Sequence, residues 1–75
     1  MINIKIKFTY VEDIQKFVYI ANGVNFDVDV SKGRYVVDGK SLLGLFTFDL
    51  SESLNLTLHT DDEKMVKLFS EWIVE

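Results

Sequence analysis

Ile2, Ile4, Ile6 and Phe8 alternate with Asn3, Lys5 and Lys7, a period of two that makes a strand with one buried and one wet face. Thr9 with Glu12 three residues on has the spacing of a capping box, which marks a helix start. Ile14, Phe17, Val18 and Ala21 then recur at i, i+3, i+4 and i+7, an apolar helical stripe that Tyr19 and Ile20 widen. Asn22-Gly23 tolerates left-handed geometry and ends the helix.

A second strand follows, with Phe26, Val28 and Val30 on one face and Asp27 and Asp29 on the other. Ser31-Lys32-Gly33-Arg34 reads as a tight turn with Gly33 at positive φ, and Tyr35-Val36-Val37-Asp38 returns as a short third strand. Gly39 breaks that strand, and the chain enters an apolar helical turn, Ser41-Leu42-Leu43-Gly44-Leu45-Phe46. Residues 47–53 connect it onward, with Phe48 and Leu50 expected to tuck under the domain. Leu54, Leu56 and Leu58 alternate with Asn55 and Thr57 as a fourth strand. Thr60 with Glu63 forms a second capping box, and Asp61 and Asp62 sit where a helix N-terminus favours negative charge. Met65, Leu68, Phe69, Trp72 and Ile73 then give the stripe of a closing α-helix.

The predicted order is β-α-β-β-α-β-α, a single domain over residues 1–75 without repeats or linkers. Strands wet on one face, with helices to cover the other, make a two-layer α+β open-faced sandwich. The helix between the first two strands makes them parallel, joined by a right-handed crossover that leaves room for the fourth strand between them.

Composition narrows the function classes. A chain of 75 residues is close to the lower limit for folding on one core, and without cysteines neither disulfides nor a thiolate metal site can assist. The net charge of −4 with scattered basic residues excludes nucleic acid as the main partner. Met1 runs straight into strand alternation rather than a signal peptide, and no apolar run approaches the ~20 residues of a membrane span, so a soluble, cytoplasmic protein is expected.

In that element order, Gly39-Lys40-Ser41-Leu42-Leu43-Gly44-Leu45 at the head of the middle helix resembles HPr, the phosphocarrier family of the bacterial phosphoenolpyruvate-dependent sugar phosphotransferase system. The match runs from Phe26 to Leu58. It takes in the Phe-Asp-Val-Asp-Val strand, the turn, Val37-Asp38-Gly39-Lys40-Ser41, the Leu-Leu-Gly-Leu helix and the final strand. The resemblance implies the HPr-like sandwich, a four-stranded antiparallel sheet covered on one face by three helices. It also implies an active loop just before the first helix, where the family carries His-Ala-Arg-Pro. Laid back from Ala21, that motif falls on Tyr10-Val11-Glu12-Asp13. The histidine is missing, acids stand where arginine and proline are expected, and no histidine precedes His59. A phosphocarrier needs an imidazole nitrogen to hold a labile phosphoramidate. A phosphotyrosine on Tyr10 would be a stable ester, and Glu12 and Asp13 would repel an incoming phosphoryl group. His59, at the end of the fourth strand, is expected at the opposite end of the sheet and is read as an ordinary turn residue.

Ser41 matches the serine that an ATP-dependent protein kinase phosphorylates in one branch of the family; equally, it is a helix N-cap of ordinary type. Phosphate there would face the helix N-terminus and Lys40 while putting about two negative charges on a docking face. Leu42, Leu43 and Phe46 match the family's partner-docking surface, and a helix this short cannot bury all of Leu42, Leu43, Leu45 and Phe46, so at least two are expected to be exposed. Asp27 and Asp29, like Asp61, Asp62 and Glu63, are explained by a wet strand face and by capping. No metal-site spacing occurs and no cofactor is expected.

Three functions compete. The first is a non-enzymatic HPr-like module of, or derived from, the phosphotransferase system, unable to carry phosphate on histidine and acting on regulatory or transport partners through the helix from Ser41 to Phe46. The second is a true phosphocarrier with an atypical acceptor. The third is a structural module in which the same helix serves weak self-association.

Overall fold

Val28, Val30, Leu54, Leu56 and Leu58 are buried and line one face of a four-stranded sheet. The computed structural model describes residues 1–74. Its strands are β1 (Ile2–Ile6), β2 (Val28–Lys32), β3 (Tyr35–Asp38) and β4 (Leu54–Leu58), in the spatial order β1-β4-β2-β3. Every neighbouring pair is antiparallel, with Ile4 opposite Leu56, Val30 opposite Leu56, and Val30 opposite Val37. β1 and β2 therefore run parallel with β4 between them, as the helical crossover predicts. The far face of the sheet is polar, and its rows include Asn3, Thr57, Asp29 and Asp38 side by side.

The β2–β3 hairpin closes at the pair Lys32 and Tyr35. Gly33 takes φ +59° and is the only one of the described residues with positive φ, the first central position of a II′ turn, where glycine carries no steric penalty. Gly39, past the end of β3, serves a close approach instead. A Cβ there would lie 2.6 Å from Cγ1 of Val28, so only glycine lets the chain lie against β2 as it turns into the middle helix.

Three helices cover the sheet: α1 (Val11–Asn22), α2 (Leu42–Leu45) and a closing 3-10 helix (Glu63–Trp72). The sandwich is of the expected class, but several local expectations shift. Phe8 is buried yet lies beyond the end of β1, and Phe26 is only partly buried, ahead of β2. Tyr19 does not widen the stripe of α1 but points to solvent, 83% exposed. Gly23 ends α1 at φ −84°, a right-handed and not a left-handed conformation. The middle helix is four residues long. Phe48 and Leu50 pack against the core as expected.

The largest departure is the closing helix. It has ten residues of 3-10 rather than α geometry, and in a 3-10 helix side chains three apart eclipse one another. Val66, Phe69 and Trp72 therefore form the row that meets the core, and Leu68, expected in the stripe, is 42% exposed. Thr60 and Glu63 do not form its capping box; Asp62 is the N-cap and accepts from the backbone N–H of Lys64 at 3.0 Å. After Trp72 the chain turns extended. Lys7 donates to the Trp72 carbonyl, Val74 donates to that of Lys5, and Ile73 bridges Ile6, so the outer edge of β1 is covered over its second half.

The end of the core under these helices is aromatic. Phe17 lies 5.3 Å from Phe8, 5.2 Å from Phe69 and 5.5 Å from Trp72, ring centroid to ring centroid. Phe69→Ala is expected to lower unfolding free energy by about 3–5 kcal/mol, the loss typical of a buried Phe. Leu68→Ala should lower it by less than about 1 kcal/mol, since it sits off the core row. Urea denaturation of both variants checks this; equal losses would mean an α-type stripe.

Candidate functional site

The junction after Phe8 leads into α1 through Tyr10, which is its N-cap in extended conformation and stands 65% exposed. The capping box predicted from Thr9 and Glu12 falls one residue later. Asp13 Oδ2 accepts from the backbone N–H of Thr9 at 3.1 Å and from that of Tyr10 at 3.0 Å. A helix N-terminus presents unpaired N–H groups and partial positive charge, the usual lodging of an anion. Here the chain's own carboxylate takes that place. The Tyr10 N–H is the main cause that holds the Asp13 carboxyl below its ordinary value of 3.8; partial burial opposes it, and the Thr9 N–H and Lys16 assist. The buried Nε1 of Trp72 has no hydrogen-bond partner among the described residues.

Ser41 is the N-cap of α2, and its Oγ accepts from the Gly44 N–H at 3.1 Å. The entry to that helix is anchored to the far end of α1. Asn22 Nδ2 donates to the Lys40 carbonyl at 3.1 Å, and Lys40 Nζ donates to the Val24 carbonyl at 3.1 Å. The Lys40 ammonium is thus already engaged beside Ser41. Within α2 and its C-cap, Leu45 is fully buried while Leu42, Leu43 and Phe46 are 36%, 80% and 42% exposed. Three of four large apolar side chains on one short helical turn face solvent.

His59 leaves the end of β4 next to the start of β1, since Ile2 pairs with Leu58, and so lies at the opposite end of the sheet from Tyr10. Its Nε2 is 2.7 Å from Asp29 Oδ2 on the polar face. It takes no part in either helix terminus.

Two features escaped the reading of the chain. The tie from Asn22 and Lys40 between α1 and α2 joins residues far apart in sequence, with no local signal. A shallow apolar depression lined by Tyr19, Ile20, Val24 and Leu68 depends on the 3-10 geometry that turns Leu68 outward. Asp13 had a signal, an acidic residue three after the N-cap, once Tyr10 and not Thr9 is taken as that cap.

The Asp13 cap can be measured directly. A carboxyl with a lowered folded pKa contributes stability above its unfolded value and loses it as pH falls. Asp13→Ala should therefore cost about 1 kcal/mol at neutral pH, and the difference from wild type should begin to shrink as pH falls through about 3.8 and vanish only below the lower value the carboxyl has in the folded protein. Thermal unfolding of both proteins across that range checks it.

No protein-family model and no curated protein matches the chain by sequence. Solved structures do match in shape. HPr-C-His from Thermoanaerobacter tengcongensis superposes with a TM-score of 0.78 at 22% identity, covering 95% of this chain and 89% of that one. A phosphocarrier protein HPr from Bacillus anthracis str. Ames gives a TM-score of 0.73 at 17% identity, with 97% of this chain and 96% of the other covered. With the strand order and the three helices above, these likenesses show that the chain has the HPr fold.

Proposed function

We propose that this protein is an HPr-like regulatory or protein-binding module of, or derived from, the sugar phosphotransferase system, and that it is not an enzyme. The observation that carries the reading is the N-terminus of α1. Where the family resemblance expects a phosphoryl-accepting histidine there is Tyr10, and the backbone N–H groups of Thr9 and Tyr10 are held by Asp13. A phosphoryl group arriving there would meet a resident carboxylate on the Thr9 and Tyr10 donors, with Glu12 beside it and neither a histidine nor an arginine at the motif's positions. Relay of a labile phosphate has no acceptor at this end of the molecule.

The helix beginning at Ser41 supplies the other half of the function. Leu42, Leu43 and Phe46 stand exposed on it, an apolar cluster of the kind that proteins keep for partners. Transport or regulatory proteins of the same system are the partners this reading assigns to it, in the cytoplasm. Ser41 is the candidate regulatory phosphorylation site. A phosphoserine at the N-cap would place about two negative charges beside the docking side chains and weaken an apolar contact.

Incubation with phosphoenolpyruvate and the system's first enzyme, and separately with ATP and the serine kinase of HPr, tests both halves by intact-mass spectrometry. No phosphoryl group from phosphoenolpyruvate is expected, and one is expected from ATP, absent in Ser41→Ala. Acid-labile phosphate acquired from phosphoenolpyruvate would establish an atypical phosphocarrier instead.

A further inference from the structure

The two edges of the sheet differ. β1 is covered over its second half by the bridge from Ile73 and the bond from Val74, whereas β3 has β2 on one side and no strand on the other. Pairing along a two-residue hairpin alternates, so the closing pair Lys32 and Tyr35 exchanges both hydrogen bonds and Val36 faces its backbone N–H and carbonyl outward. The bond from the Gly39 N–H to the Val28 carbonyl continues that alternation, with odd-numbered residues bonding β2. Tyr35 and Val36 are 50% and 58% exposed, so this edge is both unpaired and apolar. Its charges are arranged about Val36. Arg34, the only arginine of the chain, lies two residues before it and Asp38 two residues after it. Among the described residues neither forms an ion pair. Asp38 Oδ1 accepts from the Lys40 N–H at 2.9 Å, which fixes the carboxylate at the edge and leaves Oδ2 available.

We infer that β3 is a self-association edge whose partner is a second copy of this chain, paired antiparallel about Val36. A two-fold axis perpendicular to the sheet keeps the faces of both copies aligned and sets Val36 opposite Val36 of the second copy. The same register sets Tyr35 opposite Val37 and brings Arg34, in the turn just before β3, beside Asp38 of the second copy, so two charge pairs flank an apolar centre. Val36 supplies both central backbone hydrogen bonds, since its N–H and carbonyl are the outward ones. No other residue on the edge gives this register, because only Val36 lies midway between the opposite charges. Closure follows from the two-fold: each copy spends its β3 edge on the other, and the bridge from Ile73 blocks the second half of the β1 edge, so assembly stops at two copies. A strand of four residues makes a small interface, and the dimer is accordingly weak and concentration-dependent.

Sedimentation equilibrium from micromolar to millimolar protein is the test. The wild type should rise from the 8.7 kDa monomer mass towards twice that value, and added salt should weaken the rise. R34E and D38K should each weaken self-association about tenfold, since two attractions become two repulsions. Mixing R34E with D38K should restore association as a heterodimer, because each acidic edge then meets a basic one. Val36→Lys, which leaves the cap on Lys40 untouched and puts like charges on the axis, should give a monomer, with circular dichroism confirming its fold. A wild type that stays monomeric throughout would overturn the inference and leave the edge to an extended segment of another protein. A mixture of the two variants no more associated than either alone would overturn the register. Neither result bears on phosphorylation, so failure here is distinct from failure of the proposed function.

Discussion

Phe17 is the contact on which the arrangement depends. It projects from the middle of α1 into a cluster with Phe8 at the exit of β1 and with Phe69 and Trp72 of the closing 3-10 helix. Aromatic rings of this size bring large apolar areas out of water and prefer the tilted and edge-on geometries found here. No polar or charged residue is buried among the described residues, so apart from the backbone bonds between β1 and the segment after Trp72 it is apolar packing that holds these elements on the sheet. For a chain without disulfides this cluster stands in for a covalent staple. The surface ion pair of Lys16 with Glu71, at 2.9 Å across the same two helices, adds little by comparison.

That cluster also sets the site. With Phe8 and Phe17 both seated, the short segment between them can only lead up to the head of α1, and Tyr10 becomes its cap. The free N–H groups of that helix end then require an acceptor, which Asp13 provides from within the first turn. α2 is positioned by a separate set of contacts: Gly39 against Val28, the two bonds between Lys40 and the end of α1, and Leu45 in the core. Its exposed face is therefore held rigidly although the helix is only four residues long. The head of α1 and the exposed face of α2 thus have separate supports, so either can change without the other.

The layers, the strand order and the parallel relation of β1 and β2 were legible because period-two alternation and a single crossover leave few alternatives. The exposure of Leu42, Leu43 and Phe46 was legible by a count of apolar side chains against helix length. The closing helix was misread at Leu68 because an apolar row of period three and one of period 3.6 share Phe69 and Trp72 in so short a segment. The sequence favours Thr9 as the cap because a hydroxyl residue is the commoner one. The structure shows that capping here comes from position N3, the carboxylate of Asp13, and leaves the N-cap side chain free to be a tyrosine. Tyr19 and Gly23 failed for a related reason: local preference describes what a residue tolerates, and packing decides which option is used.

The proposed function puts partner docking on α2 and no phosphoryl transfer at the head of α1. An amide chemical-shift titration with the first enzyme of the phosphotransferase system tests it most directly. Perturbations are expected to concentrate at Leu42, Leu43 and Phe46, with the Thr9 and Tyr10 amides still reporting a bound Asp13 carboxylate at saturation. No perturbation of α2, or displacement of Asp13 with transfer of phosphate to the α1 terminus, would contradict it.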